Sequence, residues 1–576
     1  MRFIVAAVLF VGAMVCLITG IGEQTLWKSP AAHKISLVLD SKRPLTVIEH
    51  SALTKFPGNP IVTASGETKA QIGVGRNTDV AAWIGKNPHS LITAQGATKG
   101  KPLVAKDVSG YGTAANPFGS DLWRSDVSKA KSASMRVNVA NQASVIVSSN
   151  GLDSAPQNLL ISWPIPQDLS QSRFLIIAGL VLLLLSVLLN WRAWYTMRRD
   201  RGPRRRTPRA PQGPRTRRRK SQIVVPGKGR RSARYGKVAW SGLKLAGVGL
   251  AVSVSVSGCT TIGVNVASSS PTPTLNAAKL APPVVTEKQA KKIISRIGSA
   301  VAAGDARHKV NLLLARVDGP ALAARASHYT LEAASSKVKP LKGLNLDKFS
   351  LILPAASHEW PRTVMAVVSG AAKTDLPTML VLQQQSPRSQ YKLWYAIGML
   401  PKVQTPEVPV TSIGAIPVGP SSVFLKLSPQ SLPNAFGDLI DKGQTSIGAP
   451  LFDVTNDEFY KQVALSLANQ QGNLNNGVIK VTHDLGNPNV LSLSTANSGA
   501  LVAVYLSDTY VIKPSKATQA VQVTGDEKLM LGAAGSTAGI RSVYGTMLLF
   551  YVPAISSNDK IITLGATQVL ISVRSL

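Results

Sequence analysis

The chain has 576 residues, 44% of them hydrophobic and 16% charged, with 64 Lys and Arg against 29 Asp and Glu for a net charge of +35. A mean hydropathy of +0.11 excludes a wholly disordered chain, and the length allows three or four units that each bury a core. Two cysteines, Cys16 and Cys259, are too few for a disulfide framework or a cysteine-based zinc site.

Residues 3–22 carry no charge and are long enough to cross a bilayer core. Arg2 precedes them without an obvious small-x-small cleavage site, which favours an uncleaved anchor over a removed signal peptide. Cys16 lies inside this stretch, lacks the small residues of a lipidation signal before it, and reads as an apolar side chain.

Residues 23–173 read as an all-β, sandwich-like module. Alternating runs recur at 35–39, 61–64, 70–74, 136–139, 144–148 and 159–163, divided by Gly, Pro, Asn and Ser. Only 79–84 carries a competing helical pattern.

A second apolar stretch, 174–191, is followed by Trp191, Trp194 and Tyr195 and then by Arg198 and Arg199. Residues 192–240 hold 18 Lys and Arg against one acid, close to half of the net charge. The positive-inside rule places this Arg/Pro-rich segment in the cytoplasm and residues 23–173 outside the membrane. Its prolines and glycines exclude a regular helix, and no aromatic residues interleave to stack on bases. It therefore reads as a tether attracted to anionic headgroups, and no nucleic acid is expected.

Residues 241–259 form a shorter apolar segment ending in Val256-Ser257-Gly258-Cys259. That ending resembles a bacterial lipobox, which makes Cys259 a lipidation candidate with cleavage just before it. The alternative is a third, Gly-rich span. Both carry the rest of the chain outward, through a Ser/Pro tether at 260–285.

Residues 286–400 predict an α+β unit. Thr286 and Gln289 form a capping box ahead of Ala290, Ile293, Ile294, Ile297 and Val301 at helical spacing. Asp318 caps a second helix with Pro320 in its first turn, and strands follow at 349–353, 364–368, 379–382 and 393–397. After a Pro-rich linker at 401–420, residues 421–576 repeat the order. A helix spans 432–442, Thr455 and Glu458 form a second capping box, and strands cover 478–482, 501–506, 543–552 and 560–573. Helix, helix, then curved antiparallel sheet resembles the cone fold of nuclear transport factor and ketosteroid isomerase relatives, and two such units would fit a duplication.

The seven histidines, His33, His50, His89, His308, His328, His358 and His483, write no local metal site, and HExxH is absent. His358-Glu359 reads as a loop pair facing water, or, in a cone pocket, as a general acid and base. Asp453, Asp457 and Glu458 suit the start of a helix better than a calcium loop. Gly73-Val74-Gly75 lacks the third glycine of a dinucleotide loop, and neither a phosphate loop nor Gly-x-Ser-x-Gly occurs. Trp83, Trp123, Trp360 and Trp394 read as core or half-buried anchors, with sugar stacking the alternative. No catalytic, cofactor or metal residue is assigned.

Gly75-Arg76, the run Asp79-Val80-Ala81-Ala82-Trp83-Ile84, then Ser120-Asp121-Leu122-Trp123 and Ser162-Trp163-Pro164 ahead of the second apolar stretch resemble a set of uncharacterised actinobacterial membrane-anchored envelope proteins. In these an outer β-domain, a span, an Arg/Pro-rich segment and a lipoprotein-like C-terminal region share one chain. The resemblance implies a location and brings no reaction with it. The expected function is a non-enzymatic, multi-pass envelope protein whose two outer regions bind or scaffold, with the membrane, anionic wall polymers or other envelope proteins as partners. The alternative is an enzyme, or an accessory subunit of one, acting on wall or lipid-linked glycans.

Overall fold

The computed structural model describes residues 2–27, 30–40, 42–98, 100–112, 115–140, 142–165, 170–200, 281–341, 343–372, 375–472 and 477–576. Cys259, the segment 241–259 and almost all of the basic run lie outside these residues. Contacts divide the chain into two compact units: one carries the two apolar stretches, the other combines residues 29–168 with 276–576.

The first stretch is helix α1 (Arg2–Gln24). After it come β1 (Ala32–Val38), β2 (Leu45–Ile48), α2 (His50–Leu53), β3 (Ile61–Arg76), α3 (Asn77–Ile84), β4 (His89–Thr93), β5 (Val104–Val108), β6 (Ser125–Arg136), β7 (Ala143–Ser148) and β8 (Asn158–Pro164). These strands make one sheet of order β1-β8-β3-β7-β2-β4-β5, with β6 on the other edge of β3. The expected sandwich of two sheets is replaced by a single curled one, and β3 explains why. Its runs 61–64 and 70–74 fuse into one strand of 16 residues. Residues 61–65 pair with β8 and residues 71–76 with β7, and the ladder to β6 shifts register between Ser65 and Lys69. The irregularity bends the strand and re-aims the sheet at the point where its partner changes. Trp163, Ile161, Val145 and Val147 fill the concave core.

The second stretch is α4 (Ser170–Asp200), which runs past Arg198; the Arg198 guanidinium lies 3.7 Å from the Trp194 ring centre. It packs antiparallel to α1 through small residues seven apart, Ala6, Ala13 and Gly20 against Ser172, Gly179, Ser186 and Ala193, all buried. Ser186 Oγ donates to Ala6 O at 2.9 Å, and Gln24 Nε2 to Ser172 Oγ at 3.2 Å. A period of 3.5 keeps one seam facing the partner, and small side chains let the backbones approach. The large apolar residues, such as Ile4, Val8, Phe174 and Leu184, point outward and are exposed. Both helices are long and apolar enough to cross a membrane.

The C-terminal region is α+β. Helices α5 (Glu287–Asp305) and α6 (Gly319–Ala334) precede β9 (Lys348–Pro354), β10 (Arg362–Ser369), β11 (Thr378–Gln384) and β12 (Lys392–Gly398), an antiparallel meander. Both expected caps form: Gln289 N donates to Thr286 Oγ1, and Gly319 N to Asp318 Oδ1 at 2.9 Å. Then come α7 (Leu432–Lys442), α8 (Glu458–Gly472), β13 (Gly477–Leu485), β14 (Leu491–Ser494), β15 (Ala500–Pro514), β16 (Val521–Gln522), α9 (Gly525–Leu531), β17 (Gly535–Ser536), β18 (Ile540–Val552) and β19 (Ile562–Ser575). The cap of α8 differs from expectation. Tyr460 N donates to Asp457 Oδ1 at 2.9 Å, so Asp457 rather than Thr455 starts the helix.

The second sheet runs β13-β15-β18-β19, with β14 also on β15. Alternation along its strands buries both faces. Leu501, Ala503, Met547, Leu549 and Tyr551 share one core with Met365, Val381, Tyr395 and the apolar face of α5. Val502, Val504, Leu548 and Phe550 form another with Phe436 and Leu439 of α7 and with Phe452. Two separate cones are therefore not what forms, because the inner face of each sheet is filled by the other. Stretch 401–420 crosses this body, with Ala415 bridging to Ala355 and Pro417 to Leu493.

Candidate functional site

Two of the three motifs that carry the resemblance supply buried carboxylates, each held in its own cluster of arginines. Arg76 ends β3 and Asp79 lies in the first turn of α3, three residues on, so the guanidinium meets the carboxylate side-on: Nε donates to Oδ2 at 2.7 Å and Nη2 to Oδ1 at 2.8 Å. Arg362, at the start of β10 and 283 residues away, donates Nη2 to the same Oδ1 at 2.8 Å. Asp79 is 2% exposed and Arg362 fully buried. Arg76 Nη1 also donates to Pro282 O and Pro283 O. Arg362 donates to Glu359 O and His358 O, and its guanidinium stacks 3.5 Å from the Trp360 ring centre. Burial pulls the Arg362 pKa below its ordinary range, and Asp79 opposes that shift.

A second node forms around Asp121, whose carboxylate is wholly buried. It accepts from Arg296 Nη1 of α5 at 2.9 Å, from Arg316 and from Tyr391 N at 2.9 Å. Gln289 closes the capping box through Oε1 and donates Nε2 to Asp121 O and Leu122 O. Arg388 donates Nε to Trp83 O at 2.9 Å, and its guanidinium lies 4.8 Å from the centre of the Trp83 ring. Gly75 is glycine because Trp123 packs on it: a Cβ there would lie 2.9 Å from Trp123 Cε3.

Burying charges without partners costs several kcal/mol per ion, so Asp79, Asp121, Arg76 and Arg362 stay buried only because each is paired. Asp79 and Asp121 have their oxygens committed to arginines and amides, which suits holding two segments together and leaves no base facing a substrate. The side chains of His358 and Glu359 face water, as expected for a loop pair, while their carbonyls serve Arg362. Trp83 and Trp123 are core residues, and Trp360 and Trp394 are half-buried.

A further polar cluster was not foreseen from the sequence. The register of β13 and β15 sets His483 opposite Asp508, and Nδ1 lies 2.6 Å from Asp508 Oδ1. Nε2 faces Asp441 Oδ1 of α7 at 3.2 Å. Thr546 and Gln568 donate to the other oxygen of Asp508. Gly437 lets α7 come this close, because a Cβ there would sit 2.5 Å from His483 Cβ. Burial lowers the His483 pKa, but Asp508 and Asp441 outweigh it and the net shift is upward. A hydrolytic triad would place a hydroxyl at Nε2, and a carboxylate stands there instead, so the ring lies between an acid on the helix and an acid on the sheet. Asp457 is likewise structural, accepting from Tyr460 N and Thr563 Oγ1 while burial pushes its carboxyl pKa up. Among the described residues no group of three or more His, Cys, Asp or Glu could hold a metal ion.

On the opposite face of β13 and β15 an open groove of ≈ 690 Å³ is lined by Lys480, Thr482, Asp484, Thr509, Lys513 and Arg541, among others.

No curated protein and no solved structure matches the chain. A family model described as a domain of unknown function, DUF8094, matches residues 281–572, just over half of the chain. The match begins beside the Arg76 contact at Pro282 and ends within β19, so it embraces both C-terminal sheets and their common core. On that match the chain belongs to the DUF8094 family.

Proposed function

We propose that this protein is a non-enzymatic, membrane-anchored component of the cell envelope that presents one binding or scaffolding body on the outer side of the membrane. The observation that carries the reading is a pair of ion clusters built on buried carboxylates, Asp79 with Arg76 and Arg362, and Asp121 with Arg296 and Arg316. It unites the segments before and after the second apolar helix. A partner would meet a single surface, not two independently tethered modules, with α1 and α4 as attachments. The charge asymmetry across α4 supports a cytoplasmic basic segment and an outer body. The actinobacterial resemblance and the lipobox-like ending at Cys259 support an envelope location.

Placement is tested in a Cys16→Ser, Cys259→Ser background with single cysteines at Lys55, Lys461 or Arg215 and a membrane-impermeant maleimide on intact cells. Lys55→Cys and Lys461→Cys are expected to label, and Arg215→Cys only after lysis; the reverse pattern removes the reading. Function is tested by sedimenting the detergent-solubilised full chain with isolated cell walls. Salt-reversible binding without release of soluble sugars supports a binder. Steady release of reducing sugar would instead favour the glycan-enzyme alternative.

A further inference from the structure

Strands β15, β18 and β19 have 15, 13 and 14 residues, about twice the length of those in the first sheet. Their outer ends therefore extend beyond the shared core, and the face that packs on the first sheet at Leu501 and Ala503 lies open at Thr509, Val511 and Lys513. Register then lines up charge. Lys480 is opposite Val511, Val511 opposite Arg541, and Arg541 opposite Arg574. Directly opposed residues point to one face, so Lys480, Arg541 and Arg574 form a row across four strands, about 14 Å at the usual strand spacing. Lys513 stands two residues along β15 from Val511, on the same face.

A solvated face of a mildly basic protein would also carry lysines, and three observations separate this one from that reading. Like charges placed directly opposite each other destabilise a sheet, and Arg541 and Arg574 are so placed. Arg541 Nε is buried and has no hydrogen-bond partner among the described residues. The surface is concave, and the hydroxyl-bearing side chains of Thr482 and Thr509 line it beside the cations. We propose that this groove binds a linear polyanion, a chain of phosphate or carboxylate groups lying across the strands, with anionic oxygens meeting Lys480, Lys513 and Arg541 in the groove and continuing to Arg574 on the neighbouring strand. A concave row of spaced cations suits a chain better than a flat bilayer surface. The proposal deepens the binding reading above and rests on it for the polymer's source. Binding itself is measured in vitro, so a failure here leaves the placement experiment intact.

The full chain in nonionic detergent, in the Cys16→Ser, Cys259→Ser background, carries an environment-sensitive dye at Val478→Cys, an exposed position on this face. The reporter senses this face, and the Arg541 and Arg574 substitutions separate polyanion bound here from polyanion bound elsewhere on the chain. Long-chain inorganic polyphosphate is expected to shift the emission saturably. Arg541→Gln with Arg574→Gln should weaken binding about thirtyfold, taking two basic side chains at a charged surface. The ligand-free Tm should stay level or rise, since repulsion is relieved. Lys55→Gln with Lys129→Gln, an equal charge change at exposed sites elsewhere, should leave the affinity as it was. The proposal is overturned by absence of a saturable shift, by equal weakening in the Lys55 and Lys129 control, or by a variant that unfolds. It is equally overturned if orthophosphate or phosphatidylglycerol vesicles match polyphosphate at equal total phosphate.

Discussion

Replacing Asp79 with alanine removes the one carboxylate between two buried guanidiniums. Arg76 and Arg362 then face each other, with Arg362 fully buried and its Nη1 already without a partner among the described residues. Breaking a buried pair by deleting one partner costs about 3–5 kcal/mol, because the remaining charge keeps its desolvation penalty and loses its compensation. Against a typical total stability of about 5–15 kcal/mol, that is a large fraction. The assay is equilibrium urea unfolding of the full chain in mild detergent, followed by tryptophan emission, since Trp83, Trp123 and Trp360 pack in one cluster beside this node. The triple variant Arg76→Met, Asp79→Leu, Arg362→Met provides the internal control. It removes all three charges together and is expected within about 1 kcal/mol of wild type, or above it. An Asp79→Ala cost below about 1 kcal/mol, or a triple variant as damaged as the single, would refute the view that a desolvated charge network closes this junction.

His483 gives a pH signature. Its pKa is raised in the folded chain, so its charged form favours folding. That contribution is full below the unfolded histidine value of about 6.5 and is lost as pH rises through the higher folded value. Unfolding free energy should therefore fall on the alkaline side of that window, and His483→Gln should flatten the slope; an unchanged slope contradicts the Asp441–His483–Asp508 bridge. At the helix pair, a Cβ on Gly179 would meet Leu17 Cγ at 2.8 Å. Oxidative cross-linking of Ala6→Cys to Ser186→Cys should be efficient and should drop sharply when Gly179→Leu is added. Gly75→Ala drives a methyl to 2.9 Å from Trp123 Cε3 and should cost about 1–3 kcal/mol by overpacking in the same urea assay. A neutral result would mean that Trp123 does not pack there.

What could be read from the sequence divides along physical lines. Local signals survived: the Thr286–Gln289 capping box, the Asp318 cap, the bounds of α7, and strands β7 and β8 all depend on residues a few positions apart. Strand β6 was missed, except for its last residue, because it is an edge strand with lysines at 129 and 131 and only Val127, Ala133 and Met135 turned to the core. Such an edge shows little hydrophobic alternation. The Gly75–Ile84 and Ser120–Trp123 strings were visible, but their use was not. Asp79 finds Arg362 and Asp121 finds Arg316 across hundreds of residues, and no spacing rule encodes such pairs. The same holds for His483 with Asp508 and for Arg541 with Arg574, which meet only once strand register is fixed. The sharing of one core by two sheets also lay beyond a pattern of elements, since alternation reports that a strand is half-buried and not against what.

The claim on which the functional reading stands is that the segments before and after α4 make one body. A site-specific protease sequence inserted into the Ser/Pro stretch at 268–275 would let the chain be cut in detergent, with an affinity tag on the C-terminal piece. Residues 1–267 are expected to remain with the tagged DUF8094 fragment after cutting, and to be released when Asp79→Ala and Asp121→Ala are both present. Loss of the N-terminal piece from the otherwise unaltered chain on cutting would contradict the account.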